Sequence, residues 1–357
     1  MTLKLDDYRL LGRSGLRVSP LSLGTMTFGM PAGWGSSDED ARHMFDTYVD
    51  RGGNFLDTAN FYGSGGSEKV IGEFLKGRRE RMVVATKYSL TMRAGDPNGA
   101  GNHRKNMVRA VEESLQRLQT DYIDLYYLHI WDSRTPVEEI LRGFDDLVRA
   151  GKIIYAGISD TPVWQVSRMQ AIAELRGWSP FIALQIPYNL TERTVERDFF
   201  PMAREMGMGV LPWSPLAGGV LSGKYTRDDL KAPVEQTLGA LNSRKSMNLA
   251  RGRLNERTLD IADAVSAIAK EMGRSPSQVA LAWTLLNPAV TSPLIGARTY
   301  PQFEDNLAAL EINFSDAHIK QLDEVSRIEA CFPHDMLNGE ISKGLFGGVN
   351  IEKPRWQ

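Results

Sequence analysis

Four titratable side chains lie at or just beyond the ends of three short apolar runs that are typical of strands. Asp57 ends the first run and Tyr62 follows it in the next loop. Lys87 ends the second run and His129 ends the third. Each could be structural on its own, because strand-end charges often cap neighbours and a single tyrosine or histidine is usually a core residue. Their coincidence at consecutive strand ends, which lie side by side in a parallel barrel, predicts one shared site.

The four groups have complementary chemistry. A tyrosine phenol has an ordinary pKa of about 10 and is a weak acid at neutral pH. A lysine ammonium about 4 Å away would stabilise the phenolate by roughly 4 kcal/mol, which predicts a lower pKa for Tyr62. Asp57 would keep Lys87 charged, and a neutral His129 could orient a substrate oxygen. The set therefore predicts polarisation of a carbonyl and protonation of the alkoxide that forms when hydride arrives.

The elements that must position these groups follow a regular alternation. Short apolar runs alternate with longer stretches of helical periodicity, which predicts a parallel sheet covered by helices. Eight such runs favour an α/β fold of the (β/α)₈ TIM-barrel type. The predicted strands are Leu21–Leu23, Asn54–Asp57, Met82–Thr86, Ile123–His129, Ile153–Ile158, Phe181–Gln185, Val210–Trp213 and Pro293–Ile295.

Helix starts and one buried helix face are also indicated. Thr135-Pro136 and Ser275-Pro276, each followed by Glu or Gln at the third position after the Thr or Ser, predict capping boxes with proline at the first helical position. Gly151 and Gly273 predict helix ends. A stripe at helical spacing predicts a sheet-facing surface. Its members are Met107, Val108, Val111, Leu115 and Leu118.

Three long stretches interrupt the alternation. Thr91–Asn102 and Ser214–Asn255 follow the third and seventh predicted strands, so that in a barrel both open on the face where active sites form. The third, Ala330–Gln357, forms a polar C-terminal tail. No change of composition resembles a linker, and we therefore expect residues 1–357 to form a single domain.

Composition excludes several classes of partner. Of the 357 residues, 42% are apolar and 24% charged, and the net charge is −2, which predicts a folded protein that does not bind nucleic acid or anionic membranes. Cys331 is the single cysteine, no charged segment followed by an apolar one opens the chain, and no apolar run approaches the roughly 20 residues that span a bilayer. We expect a cytoplasmic protein without a metal ion.

The residues around the four groups resemble the aldo-keto reductase family. The segment Asn54–Gly63, Lys87 and Leu128-His129 are similar to the catalytic tetrad of that family. The likeness extends from Leu21–Met26, which includes Gly24 and Thr25, to Asp305-Asn306 and suggests the aryl-alcohol dehydrogenase-like or channel β-subunit-like branch. The resemblance implies that Tyr62 is the general acid, that Lys87 and Asp57 tune it, and that His129 orients the carbonyl. It also implies that NADPH supplies the hydride.

A loop after the seventh strand is the candidate cofactor site. No G-x-G-x-x-G fingerprint follows an early strand, which argues against a dinucleotide-binding Rossmann fold. Trp213 could stack on a nicotinamide ring, and the loop Ser214–Gly219, with Pro215 and Leu216, could offer backbone N–H groups to a pyrophosphate. Gly218 to Lys224 also matches most of a nucleotide-triphosphate P-loop, but Tyr225 replaces the required Ser or Thr and the loop lies late in the chain.

Further cofactor contacts are implied by the resemblance. After the eighth strand, Arg298 would bind the 2′-phosphate of NADPH, although an ordinary exposed helix start is the alternative. Ser159 and Gln185 resemble the pair that binds the nicotinamide carboxamide, and Asp160 stands where the family usually has asparagine. The remaining candidates for cofactor contact are Gly24, Thr25, Met26, Asp57, Lys224, Gly296, Gln302, Asp305 and Asn306.

The substrate is indicated by aromatic residues. Trp34, Tyr88 and Trp131 lie just beyond the first, third and fourth strands and, with Tyr62 and His129, could line a pocket for an aryl or bulky apolar carbonyl or alcohol. The alternative is that these rings pack against loops. A second functional hypothesis is a nicotinamide-sensing regulatory subunit of the same fold that has little turnover.

Overall fold

Eight short strands pair in parallel around a barrel. The computed structural model describes residues 2–30, 35–231, 243–337, 344–345 and 347–349. The barrel strands are neighbours in chain order, and the last, Leu294–Ile295, pairs with the first, Ser22–Gly24. The barrel closes where the Val210 N–H donates to the Ala289 carbonyl (3.3 Å) and the Thr291 N–H donates to the Val210 carbonyl (2.8 Å). The strands are β1 Arg9–Leu10, β2 Arg17–Val18, β3 Ser22–Gly24, β4 Phe55–Asp57, β5 Val83–Tyr88, β6 Ile123–Leu128, β7 Ile153–Ser159, β8 Phe181–Pro187, β9 Gly209–Trp213 and β10 Leu294–Ile295.

Helices connect the strands and cover the barrel, and the (β/α)₈ fold predicted from the alternation is confirmed. The eight predicted barrel strands all form, and their ends differ from the predicted ones by at most two residues. Of the described residues, none belongs to a helix that is both long and apolar enough to cross a membrane. The helices are α1 Asp38–Asp50, α2 Gly66–Phe74, α3 Arg104–Leu118, α4 Val137–Arg149, α5 Val163–Arg176, α6 Phe199–Glu205, α7 Arg244–Ala250, α8 Glu256–Met272, α9 Pro276–Thr284, α10 Tyr300–Leu307, α11 Asp316–Ser326 and α12 His334–Leu337.

Alternation along each strand divides the core into two parts. Successive side chains of a strand point to opposite faces, so that Val83 and Tyr127 belong to the cluster inside the barrel. Val84 and Tyr126, their neighbours in sequence, pack instead in the larger cluster between barrel and helices. The same alternation directs Lys87 inward, because it lies at even spacing from Val83.

A two-stranded antiparallel hairpin, formed by β1 and β2, covers the N-terminal end of the barrel. Leu11 and Val18 are fully buried in the interior cluster, together with Phe55 and Val83, the first residues of β4 and β5. The sequence did not predict this hairpin, because its strands are two residues long and give no readable periodicity.

Two helix starts test the predicted capping boxes. Ser275 caps α9 in a capping box with Gln278, and Pro276 occupies the first turn, as predicted. The box predicted at Thr135 is wrong, because α4 begins after Pro136 without a side-chain cap. The Thr135 hydroxyl donates instead to the Asp132 carboxylate at 2.7 Å.

The predicted apolar stripe of α3 is corrected at one position. Val108 is 40% exposed, whereas the other four members are buried. Ala110 takes its place on the buried face, since the preceding buried position is Met107 and helical neighbours on one face are three or four residues apart.

Candidate active site

The structure brings the four predicted groups together at the C-terminal end of the barrel. Asp57 is the last residue of β4, Lys87 lies near the end of β5, and His129 directly follows β6. Tyr62 begins a short 3₁₀ turn, Tyr62–Gly65, between β4 and α2. Because β4, β5 and β6 are parallel neighbours, these strand ends meet on one face.

Lys87 is the centre of the cluster. Its side chain is fully buried, and Nζ donates to Asp57 Oδ1 at 2.5 Å and to the Thr58 carbonyl at 2.8 Å. The third contact of Nζ is the hydroxyl oxygen of Tyr62 at 3.3 Å. The second carboxylate oxygen of Asp57 accepts a hydrogen bond from Gln185 Nε2 at 2.7 Å. Each polar atom of the ion pair is therefore oriented by a hydrogen bond rather than by charge alone.

A tight turn directs Tyr62 towards Lys87. The next residue, Gly63, has a φ of 57°, which a side chain rarely adopts. A Cβ atom at this position would also lie 2.7 Å from the Gly29 carbonyl oxygen. The turn therefore requires glycine, and any larger residue would displace the preceding phenol.

Burial changes the expected acidity of Tyr62. Burial raises the pKa of this phenol above its ordinary value, and the nearby Lys87 charge opposes that rise without reversing it. The sequence-based expectation of a lowered pKa for Tyr62 is therefore wrong in direction, because the loss of water around the buried phenol outweighs the effect of the Lys87 charge. Burial alone would lower the pKa of Lys87, but Asp57 and Tyr62 raise it above its usual range. The site thus holds a protonated phenol beside a charged ammonium.

His129 is neutral. Burial, assisted by the Lys87 charge, lowers the pKa of its imidazole to about 3. The ring meets Tyr62 edge to face, with centroids 5.9 Å apart, and Nδ1 is a buried polar atom with no hydrogen-bond partner among the described residues. A neutral imidazole in this place can hydrogen-bond a substrate oxygen without competing with Lys87 for charge.

A layer of buried polar side chains, which was not predicted from the sequence, lies behind the four groups. Ser67 is fully buried in α2, and its hydroxyl contacts those of Thr25 (2.9 Å) and Thr58 (2.8 Å). Glu68 is also fully buried and accepts hydrogen bonds from Thr86 Oγ1 and Arg117 Nε, both at 2.6 Å. Two adjacent polar residues before an apolar helix pattern were the available signal, but that signal also fits an exposed helix start.

The residues expected near a nicotinamide occupy neighbouring strand ends. Ser159 ends β7 and Gln185 lies near the end of β8, and both are buried. Asp160 has a φ of 38°, and its carboxylate accepts a hydrogen bond from Trp213 Nε1 at 3.0 Å. The guanidinium carbon of Arg253 lies 5.5 Å from the centre of the same indole ring. Asp160 therefore orients the aromatic side chain that was expected to stack on the cofactor.

The loop after β9, Ser214–Gly219, is the candidate anion cradle. Its backbone has positive φ at Ser214 (52°), Ala217 (50°), Gly218 (66°) and Gly219 (90°). A Cβ atom at Gly219 would lie 2.7 Å from Lys224 Nζ, so that only glycine leaves this ammonium in place. Pro215 and Leu216 lie within the same turn. Backbone of this kind can turn its N–H groups towards a phosphate.

Three cations from distant segments meet beside this loop. Burial lowers the pKa of Lys224, and the nearby charges of Arg298 and Arg244 lower it further. Burial and the charge of Arg298 likewise lower the pKa of Arg244. Like charges held close together favour an anion between them, and the cluster therefore fits the phosphate groups of a dinucleotide. Gly218–Lys224 follows a late barrel strand and leads into a short 3₁₀ turn, Arg227–Lys231, instead of the α-helix that a triphosphate P-loop requires.

The segment after β10 contains five of the residues that were expected to contact the cofactor. Arg298 is exposed, and its backbone N–H donates to Gln302 Oε1 at 3.1 Å. Asn306 is buried with Nδ2 3.5 Å from the Gly296 carbonyl. The two carboxylate oxygens of Asp305 accept hydrogen bonds from Ser275, the N-cap of α9, and from Gln278, so that Asp305 braces the start of this helix.

The first barrel strand, β3, and the residues that follow it also contribute less to the surface of the site than expected. Gly24 ends β3 opposite Asp57, and Met26 is 42% exposed. Thr25 is fully buried, and its hydroxyl donates to the Asp57 carbonyl at 3.0 Å. Thr25 therefore supports Asp57 from behind.

The predicted substrate-lining residues are only partly brought together. Tyr88 is fully buried outside the barrel, stacked on Tyr126, and its hydroxyl donates to the Asn102 carbonyl at 3.1 Å. The expectation for Tyr88 is corrected because strand alternation turns it away from the face that Lys87 occupies. Trp131 follows β6 at the mouth of the barrel, whereas Trp34 lies outside the described residues.

Comparison with known proteins adds relatives that cover nearly the whole chain. An uncharacterized oxidoreductase of Bacillus subtilis is 38% identical over 331 residues, which are 89% of this chain and 95% of the relative. A norsolorinic acid reductase of Aspergillus flavus is 35% identical, covering 93% of this chain and 84% of the relative. An NADP(+) aryl-alcohol dehydrogenase of Phanerodontia chrysosporium is 36% identical, covering 93% of this chain and 89% of the relative.

The matched region coincides with the barrel. The model of the aldo/keto reductase family matches residues 20–327, from the segment before β3 to the end of α11. This range contains the four converging groups, the anion cradle and the three cations. Together with relatives above 30% identity, it shows that the chain belongs to the aldo/keto reductase family.

Proposed function

We propose that this protein is an NADPH-dependent oxidoreductase that reduces aldehydes or ketones to alcohols, with Tyr62 as the general acid. The observation that carries the proposal is the buried ammonium of Lys87, which contacts both Asp57 (2.5 Å) and the Tyr62 hydroxyl (3.3 Å). A charged lysine is expensive to bury, and this arrangement stabilises the anion that a phenol becomes after it gives up its proton.

The chain's own residues account for the proton in this reaction. The cofactor, when bound, supplies hydride to the carbonyl carbon. The Tyr62 hydroxyl gives its proton to the oxygen that gains negative charge, and Lys87 stabilises the resulting phenolate. His129, being neutral, donates a hydrogen bond to the same oxygen and fixes its direction. Asp57 keeps the ammonium in place through the cycle.

A nicotinamide dinucleotide fits the remaining residues. Trp213, held by Asp160, offers a ring face for stacking, and Ser159 and Gln185 lie at adjacent strand ends beside it. Lys224, Arg244 and Arg298 suit the phosphates, with Arg298 assigned to the 2′-phosphate. The name of the Phanerodontia relative, an NADP(+) enzyme, supports the choice of NADPH.

Aryl or bulky apolar carbonyls are the proposed substrates. Trp131 at the mouth of the barrel favours them, and the aryl-alcohol dehydrogenase among the relatives supports the same class. The reverse reaction would oxidise the corresponding alcohols.

The direct test is turnover of purified protein. NADPH is mixed with benzaldehyde, a substituted aryl aldehyde, an aryl ketone and an aliphatic aldehyde, and loss of absorbance of the reduced nicotinamide is followed. We expect oxidation that depends on the carbonyl and is faster with NADPH than with NADH. Tight binding of NADPH without oxidation by any carbonyl would favour the regulatory subunit instead.

A further inference from the structure

Large apolar side chains are exposed around the mouth of the barrel. Met26, Phe61 and Ile130 are 42%, 45% and 42% exposed, and they follow β3, β4 and β6 respectively. Trp164, at 59%, is still more exposed. Exposed apolar residues that cluster, instead of being scattered singly, mark a surface that binds something. These four surround the strand ends that carry the catalytic groups.

Trp164 reaches this surface because of the direction of its helix. It is the second residue of α5, which begins four residues after β7 ends at Ser159. A helix that returns antiparallel to the strand before it has its first turn on the C-terminal face of the barrel. Trp164 was not predicted from the sequence as a site residue, because this tryptophan belongs to a helix rather than to a loop.

Trp164 and Trp131 form a right-angled corner. Their ring centroids are 5.8 Å apart and their planes meet at 88°. Two indoles in this arrangement leave a step in which a third flat ring can stack on one face and meet the edge of the other. Trp131 is two residues from His129, so the corner adjoins the place of the reacting carbonyl.

The Trp131 side of the corner is held rigidly. The Trp131 backbone N–H donates to the Asp160 carbonyl at 3.4 Å. The buried Asn102 ties the same loop from both sides, since its Nδ2 donates to the Ile130 carbonyl (2.9 Å) and its Oδ1 accepts from the Asp132 N–H (2.8 Å). A wall that is already ordered loses little entropy when a ligand packs on it.

We propose that Trp164, with Trp131, is a specificity-determining residue that selects carbonyl substrates with a flat ring system extending beyond the reacting group. The inference rests on the proposed function and adds the shape of the substrate. The preferred class is fused or extended aryl aldehydes and ketones, in preference to saturated carbonyls of equal size.

The test compares matched carbonyls. 2-Naphthaldehyde and its saturated decahydro analogue differ in flatness and aromaticity, and propanal is too small to reach the corner. For Trp164→Ala we expect a roughly three- to tenfold rise in KM for 2-naphthaldehyde with little change in kcat. For propanal neither KM nor kcat should change. Trp164→Phe should raise the KM for 2-naphthaldehyde less than Trp164→Ala does, because a phenyl ring can still stack on the substrate. Leu175→Ala is the control, because Leu175 is 85% exposed on the same helix at the opposite end of the barrel.

A binding measurement separates this inference from the proposed function. Quenching of tryptophan fluorescence by 2-naphthoic acid, a non-reducible analogue, is titrated with the wild-type protein and with Trp164→Ala. Weaker binding by the variant would support the corner even if no carbonyl is turned over. Equal binding, or equal loss of activity towards 2-naphthaldehyde and propanal, would overturn the assignment of Trp164.

Discussion

Lys87 shows how a single buried charge can organise a site. An unpaired ammonium in the barrel interior would lose its proton, since burial favours the neutral amine. Here Asp57, the Thr58 carbonyl and the Tyr62 hydroxyl each accept a hydrogen bond from Nζ. The contacts that keep the lysine charged are therefore the same contacts that place it beside the phenol.

The pKa of His129 gives a prediction about stability. Because the pKa is lowered to about 3 in the fold and the ordinary value is 6.5, the unfolded chain binds a proton between these values that the folded protein does not. The free energy of unfolding should therefore fall as pH falls through this window, by up to about 1.4 kcal/mol per pH unit from this residue. Urea unfolding at several pH values between 4.5 and 7.5 measures the slope.

The comparison variant is His129→Gln, which lacks the titrating group and should lose less stability on acidification than the wild-type protein. His43→Gln serves as the control, because His43 is exposed on α1. If wild type and His129→Gln lose stability in parallel as pH falls, His129 titrates normally and the site is wetter than described.

Spacing in the sequence was sufficient to predict that the four titratable groups converge, since strand ends of a parallel barrel lie side by side. It was not sufficient for Tyr88, because β5 extends two residues beyond its predicted end at Thr86. Tyr88 is therefore a strand residue, and its side chain points to the face opposite that of Lys87. It also failed for the acidity of Tyr62, because the loss of water around a phenol depends on packing from several elements. Local pattern therefore identifies residue types, and the assembled fold sets their chemistry.

At the scale of elements, α2 is the support of the site. Its Ser67 and Glu68 reach under β3, β4 and β5 through the hydroxyls of Thr25, Thr58 and Thr86. Glu68 is paired in turn with Arg117 of α3, and the side chains are 0% and 14% exposed. Two helices are thus joined to the strands that carry Asp57 and Lys87.

This ion pair is predicted to be costly to break. Arg117→Met would leave the carboxylate of Glu68 buried without its partner and should lower the free energy of unfolding by about 3–5 kcal/mol. Arg51→Met is the matched control, since Arg51 pairs with Glu304 at the surface, where both side chains are more than two-fifths exposed. That change should cost about 1 kcal/mol or less. Equal small losses in both variants would contradict the structural importance of the buried pair.

Elements with long, regular patterns were predictable and irregular ones were not. The capping box of α9 was confirmed, whereas the box at Thr135 was not, because Asp132 competes for the threonine hydroxyl. The β1–β2 hairpin was not predicted, and neither were the buried polar side chains of α2. Both depend on contacts with distant segments more than on their own periodicity.

At the scale of the whole molecule, barrel closure assembles the proposed phosphate site. Lys224 follows the seventh barrel strand, Arg244 begins α7, and Arg298 follows the eighth. Only the complete barrel brings Arg298 close enough to lower the pKa of both Lys224 and Arg244. Lys224 and Arg298 were predicted from the sequence as cofactor residues, whereas Arg244 was not.

Cofactor preference can be read from thermal stability, since a ligand that binds only the folded protein raises Tm. For Arg298→Ala we expect the Tm increase caused by NADPH to shrink, with binding roughly 10- to 100-fold weaker, because a charge-assisted contact with the 2′-phosphate is lost. The increase caused by NADH should stay the same. Arg274→Ala removes a surface partner of Glu311 and serves as the control. Equal losses for both cofactors would refute the contact.

The most direct test of the central claim is the rate of hydride transfer in Tyr62→Phe. This change removes the acidic hydroxyl and keeps the ring that packs edge to face against His129. In a single turnover with bound NADPH and an aryl aldehyde that the wild-type protein reduces, we expect the rate to fall about 10²- to 10⁴-fold while NADPH affinity is unchanged. A rate within a few-fold of the wild-type value would show that Tyr62 is not the proton donor.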